Sequence, residues 1–286
     1  MAIEKVIDIL KDADRHKYGV VAVNIFNYES IAWAIEVAEE EKMPIIIQFY
    51  PGFKTYIPLS TVALIVRDLA SKVRIPVGLH LDHSNSFEQV MESIRFGFPS
   101  VMIDGSSLPF EDNVAITKEV VKSAHAMGVQ VESELGHVGS GSDIADFANE
   151  ANFTPVEKAV EFIDKTGADS LAISIGNGHG QYIATPKLDF DRIKKIKEAV
   201  PEVPLVMHGS SDIPDAQIQK AVTLGMSKFN IFTEYDRAFY RGFYKVINDN
   251  TERAYMFQSL MKTKEAAKDL LRGKIRLLNP NCFKLI

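Results

Sequence analysis

Residues 76–106 read PVGLHLDHSNSFEQVMESIRFGFPSVMIDGS and contain the pattern that decides the fold. An apolar run, residues 76–83, is followed by a segment of helical period and then by a second apolar run, residues 100–106. Both runs are almost continuous in Val, Leu, Ile and Met, as strands covered on both faces must be. The stretch therefore predicts a strand–helix–strand unit of a parallel sheet, with polar residues at the end of each strand.

The same pattern recurs along the chain. Eight strand-like runs, each followed by a helix-like segment, lie at residues 19–26, 44–50, 76–83, 100–106, 129–136, 170–176, 204–210 and 228–234. Eight such units favour an α/β fold of the (β/α)8 TIM barrel type over an open doubly wound sheet. No low-complexity linker divides the chain, so we expect a single domain over residues 1–286, with a C-terminal helical extension from about residue 255.

Composition narrows the classes of function. The chain has 286 residues, a formal net charge of −6 and a single cysteine, Cys282. A protein that coats nucleic acid or an anionic membrane needs a dense basic surface, so we expect neither partner. One cysteine cannot form an internal disulfide, and the start lacks the apolar region of a secretory signal. A cytoplasmic enzyme or binding protein is the expectation.

Three of the seven histidines fall at the ends of separate strands: His83, His179 and His208. The carboxyl ends of barrel strands meet at one mouth, where active sites lie. Three neutral imidazoles leave zinc an open fourth position, which is typical of a catalytic site. We therefore predict a metal site. The other four histidines are interpreted as a core or supporting residue (His80), an undecided loop residue (His137) and two structural residues (His16 and His125).

Two further features point to the mouth. Residues 137–153 form a long Gly/Ser/Asp-rich insertion after the fifth strand, and such loops are usually lids or functional segments. The loops after the seventh and eighth strands often bind phosphate in these barrels through backbone N–H groups and a helix start. Those loops contain Gly209, Ser210, Ser211 and Thr233. A plain helix N-cap explains the stretch SSDIPD, residues 210–215, equally well.

Taken together, the residues resemble the zinc-dependent class II fructose-bisphosphate and tagatose-bisphosphate aldolases. The resemblance runs from about residue 18 to 240. It is carried, in the order and spacing of that family, by LHLDHS, SVMIDGS, VESELGHVGS, GNGHGQY, PLVMHGSSDIP and KFNIFTE. The family's activity is the reversible cleavage of a ketose bisphosphate, as in glycolysis, to dihydroxyacetone phosphate and glyceraldehyde 3-phosphate.

The resemblance implies a role for each matching residue. His83, His179 and His208 would hold Zn²⁺, and Asp82 would protonate the aldehyde oxygen as the carbon–carbon bond forms. Asp104 and Glu134 match positions of a second or displaced metal ion, and a monovalent cation is a further possible cofactor. The residues implied in binding the phosphorylated sugar are Gly180, Gly209, Ser210, Ser211, Asn230, Ile231, Phe232 and Thr233. The base that takes a proton from the hydroxymethyl carbon would be an acid of the long loop: Asp143, Asp146 or Glu150.

Some residues depart from the family pattern and leave alternatives open. Phe232 stands where relatives commonly have a small or polar residue, which puts the far half of the substrate in question. A paralogue acting on another phosphorylated ketose, such as an inositol-breakdown intermediate or a longer sugar, is the first alternative. A zinc hydrolase lacks support because the first strand has no His-x-His pair, and a sugar-phosphate sensor would not need Asp82 beside the ligands. The resemblance also suggests a homodimer or homotetramer.

Overall fold

The computed structural model describes residues 3–249 and 255–285. Its strands, numbered in chain order, are β1 (Val20–Asn24), β2 (Ile45–Phe49), β3 (Val77–Ser84), β4 (Ser100–Ile103), β5 (Gln130–Leu135), β6 (Gly139–Ser140), β7 (Ser170–Ile173), β8 (Gly178–His179), β9 (Leu205–Met207) and β10 (Met226–Ile231). Eight of them close a barrel in the order β1-β10-β9-β7-β5-β4-β3-β2, and every pairing is parallel. This confirms the predicted (β/α)8 fold.

Helices alternate with the strands. They are α1 (Val6–His16), α2 (Tyr28–Glu41), α3 (Leu59–Ala70), α4 (Phe87–Arg95), α5 (Phe110–Ala126), α6 (Ile144–Phe147), α7 (Val156–Thr166), α8 (Phe190–Ala199), α9 (Asp215–Thr223), α10 (Thr233–Asp249) and α11 (Met256–Leu277). Their apolar faces and the strands form one continuous buried core. None of the helices in the described residues combines the length and apolar character needed to cross a bilayer.

Helices α1 and α11 lie outside the eight repeated units. The backbone N–H of Glu4, just before α1, donates to the carbonyl of Val77 at the start of β3, which places α1 at the amino end of the barrel. Helix α11 is the expected C-terminal helix and packs on α10 and α2. Lys268 of α11 reaches both Glu36 and Glu40 of α2 at 2.8 and 2.5 Å. This packing supports a single domain, which stays a prediction.

Strand β3 bends at its carboxyl end. His83 has φ +47°, a left-handed conformation that is uncommon for a residue other than glycine. The pairing of β3 with β4 shifts register between Leu81 and Ser84, on either side of this residue. The bend therefore turns His83 out of the strand alternation, so that Asp82 and His83 both reach the mouth.

A second, two-stranded sheet lies above the barrel. Strand β6 comes from the long loop after β5, and β8 comes from the loop after β7. They pair in parallel with Gly139 opposite Gly178 and Ser140 opposite His179. The long loop is thus joined to the segment that carries one of the predicted zinc ligands.

Candidate active site

A cavity of about 750 Å³ opens at the carboxyl ends of the barrel strands. Among the predicted site residues, its walls include Asp82, His83, Asp104, Glu134, His179, Gly180, Gly209, Ser211, Asn230, Phe232 and Thr233. The remaining predicted ligand, His208, is fully buried and lies directly against His83, with ring centroids 4.5 Å apart. The cavity brings together the predicted metal, acid and phosphate residues.

The three strand-end histidines converge. One ring nitrogen from each of His83, His179 and His208 lies within 4.8 Å of the others. The Nδ1 of His83 pairs with Asp104 Oδ2 at 2.8 Å, and the Nδ1 of His179 faces the carbonyl of Val138 at 3.2 Å. These acceptors require N–H at both Nδ1 atoms, so both Nε2 atoms present lone pairs.

Those two Nε2 atoms lie only 3.1 Å apart. Two lone pairs at this distance repel each other unless a proton or a metal ion lies between them. The arrangement fits a cation bound by His83 and His179, with each imidazole oriented by its own acceptor, as metal-binding histidines usually are. The donor set of three imidazoles is one that Zn²⁺ accepts.

His208 is held between two carboxylates. Its Nδ1 lies 2.7 Å from Glu134 Oε2, and its Nε2 lies 3.0 Å from Glu132 Oε1. Burial would lower the pKa of this imidazole, but the two carboxylates outweigh burial and raise it to about 10. The Nδ1 side faces the cluster, because Glu134 also forms a possible metal-binding group with His83 and Asp104.

Asp82 lies at the floor of the cavity and is 3% exposed. Its Oδ2 accepts hydrogen bonds from Asn24 at 2.6 Å and Gln48 at 3.3 Å, and its Oδ1 accepts one from Asn230 at 3.2 Å. Burial would raise the pKa of the carboxyl, but the electrostatic interactions with His83 and with Lys228 help to hold it below its usual value. Asp82 is therefore a fixed carboxylate beside the metal-binding group.

Sequence reasoning missed Asn24 and Gln48, which orient Asp82, and Lys228, which supports the histidines from below. The Lys228 side chain is fully buried, and its Nζ lies 2.9 Å from Glu132 Oε1. Burial would raise the pKa of Glu132, but Lys228, His80 and His208 together outweigh burial and hold the pKa well below its usual range. A lysine or an amide inside an otherwise apolar strand was the signal available in the sequence.

The predicted phosphate-binding residues surround one side of the cavity. Gly209 has φ +60°, and a side chain there would collide with the carbonyl of Gly178, so only glycine fits. The Oγ of Ser211 accepts from the N–H of Glu234 in the first turn of α10. In contrast, the Oγ of Ser210 donates to the carbonyl of Asn230 at 2.6 Å, and neither Ser210 nor Ile231 lines the cavity.

Part of the cavity wall is aromatic. Phe53 and Phe232 pack with ring centroids 5.6 Å apart, and Tyr50 meets Phe53 edge to face at 5.4 Å. All three line the cavity, and its wall in the described residues includes no lysine or arginine.

None of the three loop acids lines the cavity among the described residues. Asp143 caps α6 by accepting from the N–H of Ala145. Asp146 accepts from the N–H of Ser140 at 2.8 Å and pairs with His137 at 3.1 Å. Glu150 is exposed. His137, which sequence reasoning left undecided, does line the cavity.

Comparison with known proteins agrees with this geometry. The sequence model of the family described as "Fructose-bisphosphate aldolase class-II" matches residues 4–281. A protein named sulfofructosephosphate aldolase, from Alkalicoccus urumqiensis, is 39% identical over 94% of each chain. The chain belongs to the class-II fructose-bisphosphate aldolase family.

Solved structures of other aldolases extend the likeness to the whole fold. The YdjI aldolase of Escherichia coli K12 superposes with a TM-score of 0.86 and is 34% identical, covering 97% of each chain. The fructose-bisphosphate aldolase of Campylobacter jejuni reaches 0.81 at 24% identity over 95% and 93% of the chains, which supports the fold alone. The protein is thus an aldolase, a carbon–carbon lyase that acts on a phosphorylated sugar.

Proposed function

We propose that this aldolase catalyses the reversible, zinc-dependent cleavage of a ketose phosphate, with fructose or tagatose 1,6-bisphosphate as its substrate. The products are dihydroxyacetone phosphate and glyceraldehyde 3-phosphate. The observation that carries the proposal is the pair of facing Nε2 lone pairs of His83 and His179, 3.1 Å apart, in the same cavity as Asp82. A cation site beside a fixed carboxylate is what aldol cleavage without a lysine Schiff base requires.

His83, His179 and His208 would hold the zinc, and Asp104 and Glu134 stand where they can bind a second or displaced ion. Zinc, when bound, would act as a Lewis acid that stabilises the negative charge developing beside the ketone as the bond breaks. A monovalent cation stays a possible second cofactor.

Asp82 would transfer the proton of the C4 hydroxyl, on the aldehyde half of the sugar. In cleavage the carboxylate takes the proton of the C4 hydroxyl, while the C3–C4 electron pair remains with the dihydroxyacetone phosphate half. In condensation the same carboxyl returns the proton to the aldehyde oxygen. The amides of Asn24, Gln48 and Asn230 orient the carboxylate and favour its charged form.

The phosphate of the dihydroxyacetone phosphate half would bind near Gly180, Gly209 and Ser211, and at the first turn of α10. Backbone N–H groups at a helix start, together with close backbone approach at glycine, suit a phosphate without a nearby lysine. Ser210 would act indirectly, because its N–H and its Oγ both donate to the carbonyl of Asn230 and hold the loop after β9 against β10, and Ile231 would likewise support the site from within β10. Asn230, Phe232 and Thr233 complete this side of the proposed substrate site.

A second candidate substrate is another phosphorylated ketose, and two observations favour it. The relative from Alkalicoccus urumqiensis is named for sulfofructosephosphate. The wall of the cavity includes Tyr50, Phe53 and Phe232 and, in the described residues, has no lysine or arginine to meet a second phosphate. A cytoplasmic location and a homodimer or homotetramer complete the proposal.

The test is a coupled assay for release of dihydroxyacetone phosphate. Fructose 1,6-bisphosphate, tagatose 1,6-bisphosphate and 6-deoxy-6-sulfofructose 1-phosphate are offered separately, before and after chelation and zinc add-back. Activity that chelation removes and zinc restores would support the proposed class, and the preferred sugar would decide between the candidates. Absence of cleavage of every sugar by zinc-loaded protein would overturn the proposed substrates.

Phe232→Ser sharpens this assay. The smaller polar residue removes one aromatic ring from the cavity wall and leaves the histidines in place. The ratio of activities on the three sugars should therefore change by about tenfold, the scale of one pocket contact. Zinc content should stay the same. An unchanged ratio would show that the aromatic wall does not select the substrate.

A further inference from the structure

His137 occupies a position that the proposed function does not use. It follows β5 at the start of the long loop and lines the same cavity as His83 and His179. Its Nε2 lies 3.1 Å from Asp146 Oδ1, and the two side chains are 45% and 28% exposed. A histidine that faces a substrate cavity and is paired behind with a carboxylate is the arrangement of a general base.

The backbone holds His137 in place. Its N–H donates to the carbonyl of Asn152 at 2.9 Å, and its carbonyl accepts from the Oγ of Ser174 at 2.8 Å. The next residue, Val138, accepts through its carbonyl from the Nδ1 of His179. The position of His137 is therefore linked through one residue to a predicted zinc ligand.

Asp146 is also fixed. Its Oδ2 accepts from the N–H of Ser140 at 2.8 Å, and its Oδ1 accepts from the amide of Asn152 at 3.3 Å. A carboxylate held in this way places its negative charge 3.1 Å from the ring of His137, where it would stabilise the imidazolium that forms when the ring takes up a proton.

We propose that His137 is the general base that removes the proton from the hydroxymethyl carbon of dihydroxyacetone phosphate, and that Asp146 is its positioning residue. This inference rests on the proposed function. In this proposal Asp146 acts only through His137 and does not touch the substrate, while Asp143 caps α6.

The proton transfer is balanced in both directions. In condensation the C–H bond breaks, its electron pair enters the enediolate, and the proton moves to the imidazole of His137. The resulting imidazolium is stabilised by Asp146. In cleavage the imidazolium returns the proton to the same carbon of the enediolate, which gives dihydroxyacetone phosphate in its keto form.

The chain contains a matched pair outside the cavity. His125 of α5 lies 2.8 Å from Asp169, and its side chain is 43% exposed, nearly the same as that of His137. The two pairs share chemistry and exposure and differ in access to the cavity. His125→Gln is therefore the control for His137→Gln.

The experiment follows deuterium exchange. Zinc-loaded protein is incubated with dihydroxyacetone phosphate in D₂O, and loss of the hydroxymethyl proton signal is recorded by NMR without any aldehyde. We expect His137→Gln to slow exchange by about 100-fold or more, the usual contribution of a general base, and Asp146→Asn to slow it by about tenfold. Added imidazole should partly restore exchange in His137→Ala, and His125→Gln should match the unmodified protein.

Each outcome decides the inference. Exchange in His137→Gln within threefold of the unmodified rate, with zinc retained, would overturn it. Loss of zinc in the same variant would assign His137 to the metal site instead and would also overturn the base role. Failure of the proposed function looks different, because the unmodified protein would then show neither exchange nor cleavage.

Discussion

His208 and His137 are both histidines paired with carboxylates at the same mouth, yet they belong to different kinds of structure. His208 follows β9, is fully buried, and lies between Glu132 and Glu134. His137 lies in a loop, is nearly half exposed, and has Asp146 as its carboxylate partner. The strand end fixes His208, a proposed metal ligand, in one position. The loop positions His137, the proposed base, which would contact the substrate and then release it.

The largest effect is expected at the buried histidine. His208→Ala leaves Glu132 and Glu134 buried without the imidazole between them and removes a proposed metal ligand, so zinc and turnover should both be lost. We expect at least a 1,000-fold fall in turnover, on the scale of several kcal/mol of Lewis-acid stabilisation. Metal analysis and the coupled cleavage assay measure the two losses. His125→Ala is the surface control, and retained zinc in His208→Ala would remove His208 from the ligand set.

Asp82→Ala should separate chemistry from metal binding. The variant keeps the three histidines, so zinc content should be unchanged, but turnover should fall by about 100-fold to 10,000-fold because the C4 hydroxyl proton has no acceptor. Deuterium exchange into dihydroxyacetone phosphate should continue, since the proposed base lies on the loop. Intact cleavage would show that the proton acceptor lies elsewhere.

Glu132→Gln tests the support below the cavity. The amide keeps the size of the side chain but removes the charge that holds His208 Nε2 and balances the buried Lys228. Partners behind metal ligands typically contribute 10-fold to 100-fold in metal affinity, and we expect a loss of this size in a competitive zinc titration. An unchanged affinity would mean that Glu132 serves only to neutralise Lys228.

The smallest effect is expected far from the mouth, at Lys268. Hydrogen bonds from Lys264 and Lys268 outweigh burial and lower the pKa of Glu36, and the bond from Lys268 lowers the pKa of Glu40. Lys268→Met should therefore reduce the free energy of unfolding by at most about 1 kcal/mol at pH 7, because solvent screens both of the partly exposed carboxylates.

The pH dependence of this effect has a fixed sign. Folded-state pKa values below the ordinary 4.5 mean that the stabilisation is complete above pH 4.5 and is lost as the pH falls through the folded values. Denaturant unfolding of Lys268→Met and the unmodified protein should thus differ at pH 7, and the difference should shrink as the pH falls below 4.5. A difference that persists in acid would assign the loss to packing of the lysine stem.

The parts of the molecule that sequence could predict are those governed by local rules. Apolar runs with intervening helical segments were enough for the barrel, and parallel strands bring their carboxyl ends to one place. His83 and His208 could therefore be grouped from their positions at strand ends alone. His179 followed the same rule, although it lies in the short strand β8 rather than in the barrel.

The parts that sequence could not predict depend on contacts between distant residues. Lys228 and Glu132 are 96 positions apart, and only the closed barrel shows that they meet inside it. The loop after β5 has no periodic pattern, and its conformation depends on Asp146 binding the Ser140 backbone and the His137 ring. For this reason the three loop acids could not be ranked before the structure.

The pairing of β6 with β8 would couple binding of the proposed zinc to the conformation of the loop after β5. His179 of β8 lies opposite Ser140 of β6. Val138, the residue before β6, orients the imidazole of His179 through its carbonyl. A zinc ion bound by His179, His83 and His208 would therefore connect the β6–β8 sheet to the ends of the barrel strands. Part of the binding free energy of the ion would then offset the cost of ordering the loop after β5. A change in the sequence of this loop could therefore alter the metal affinity without altering any ligand.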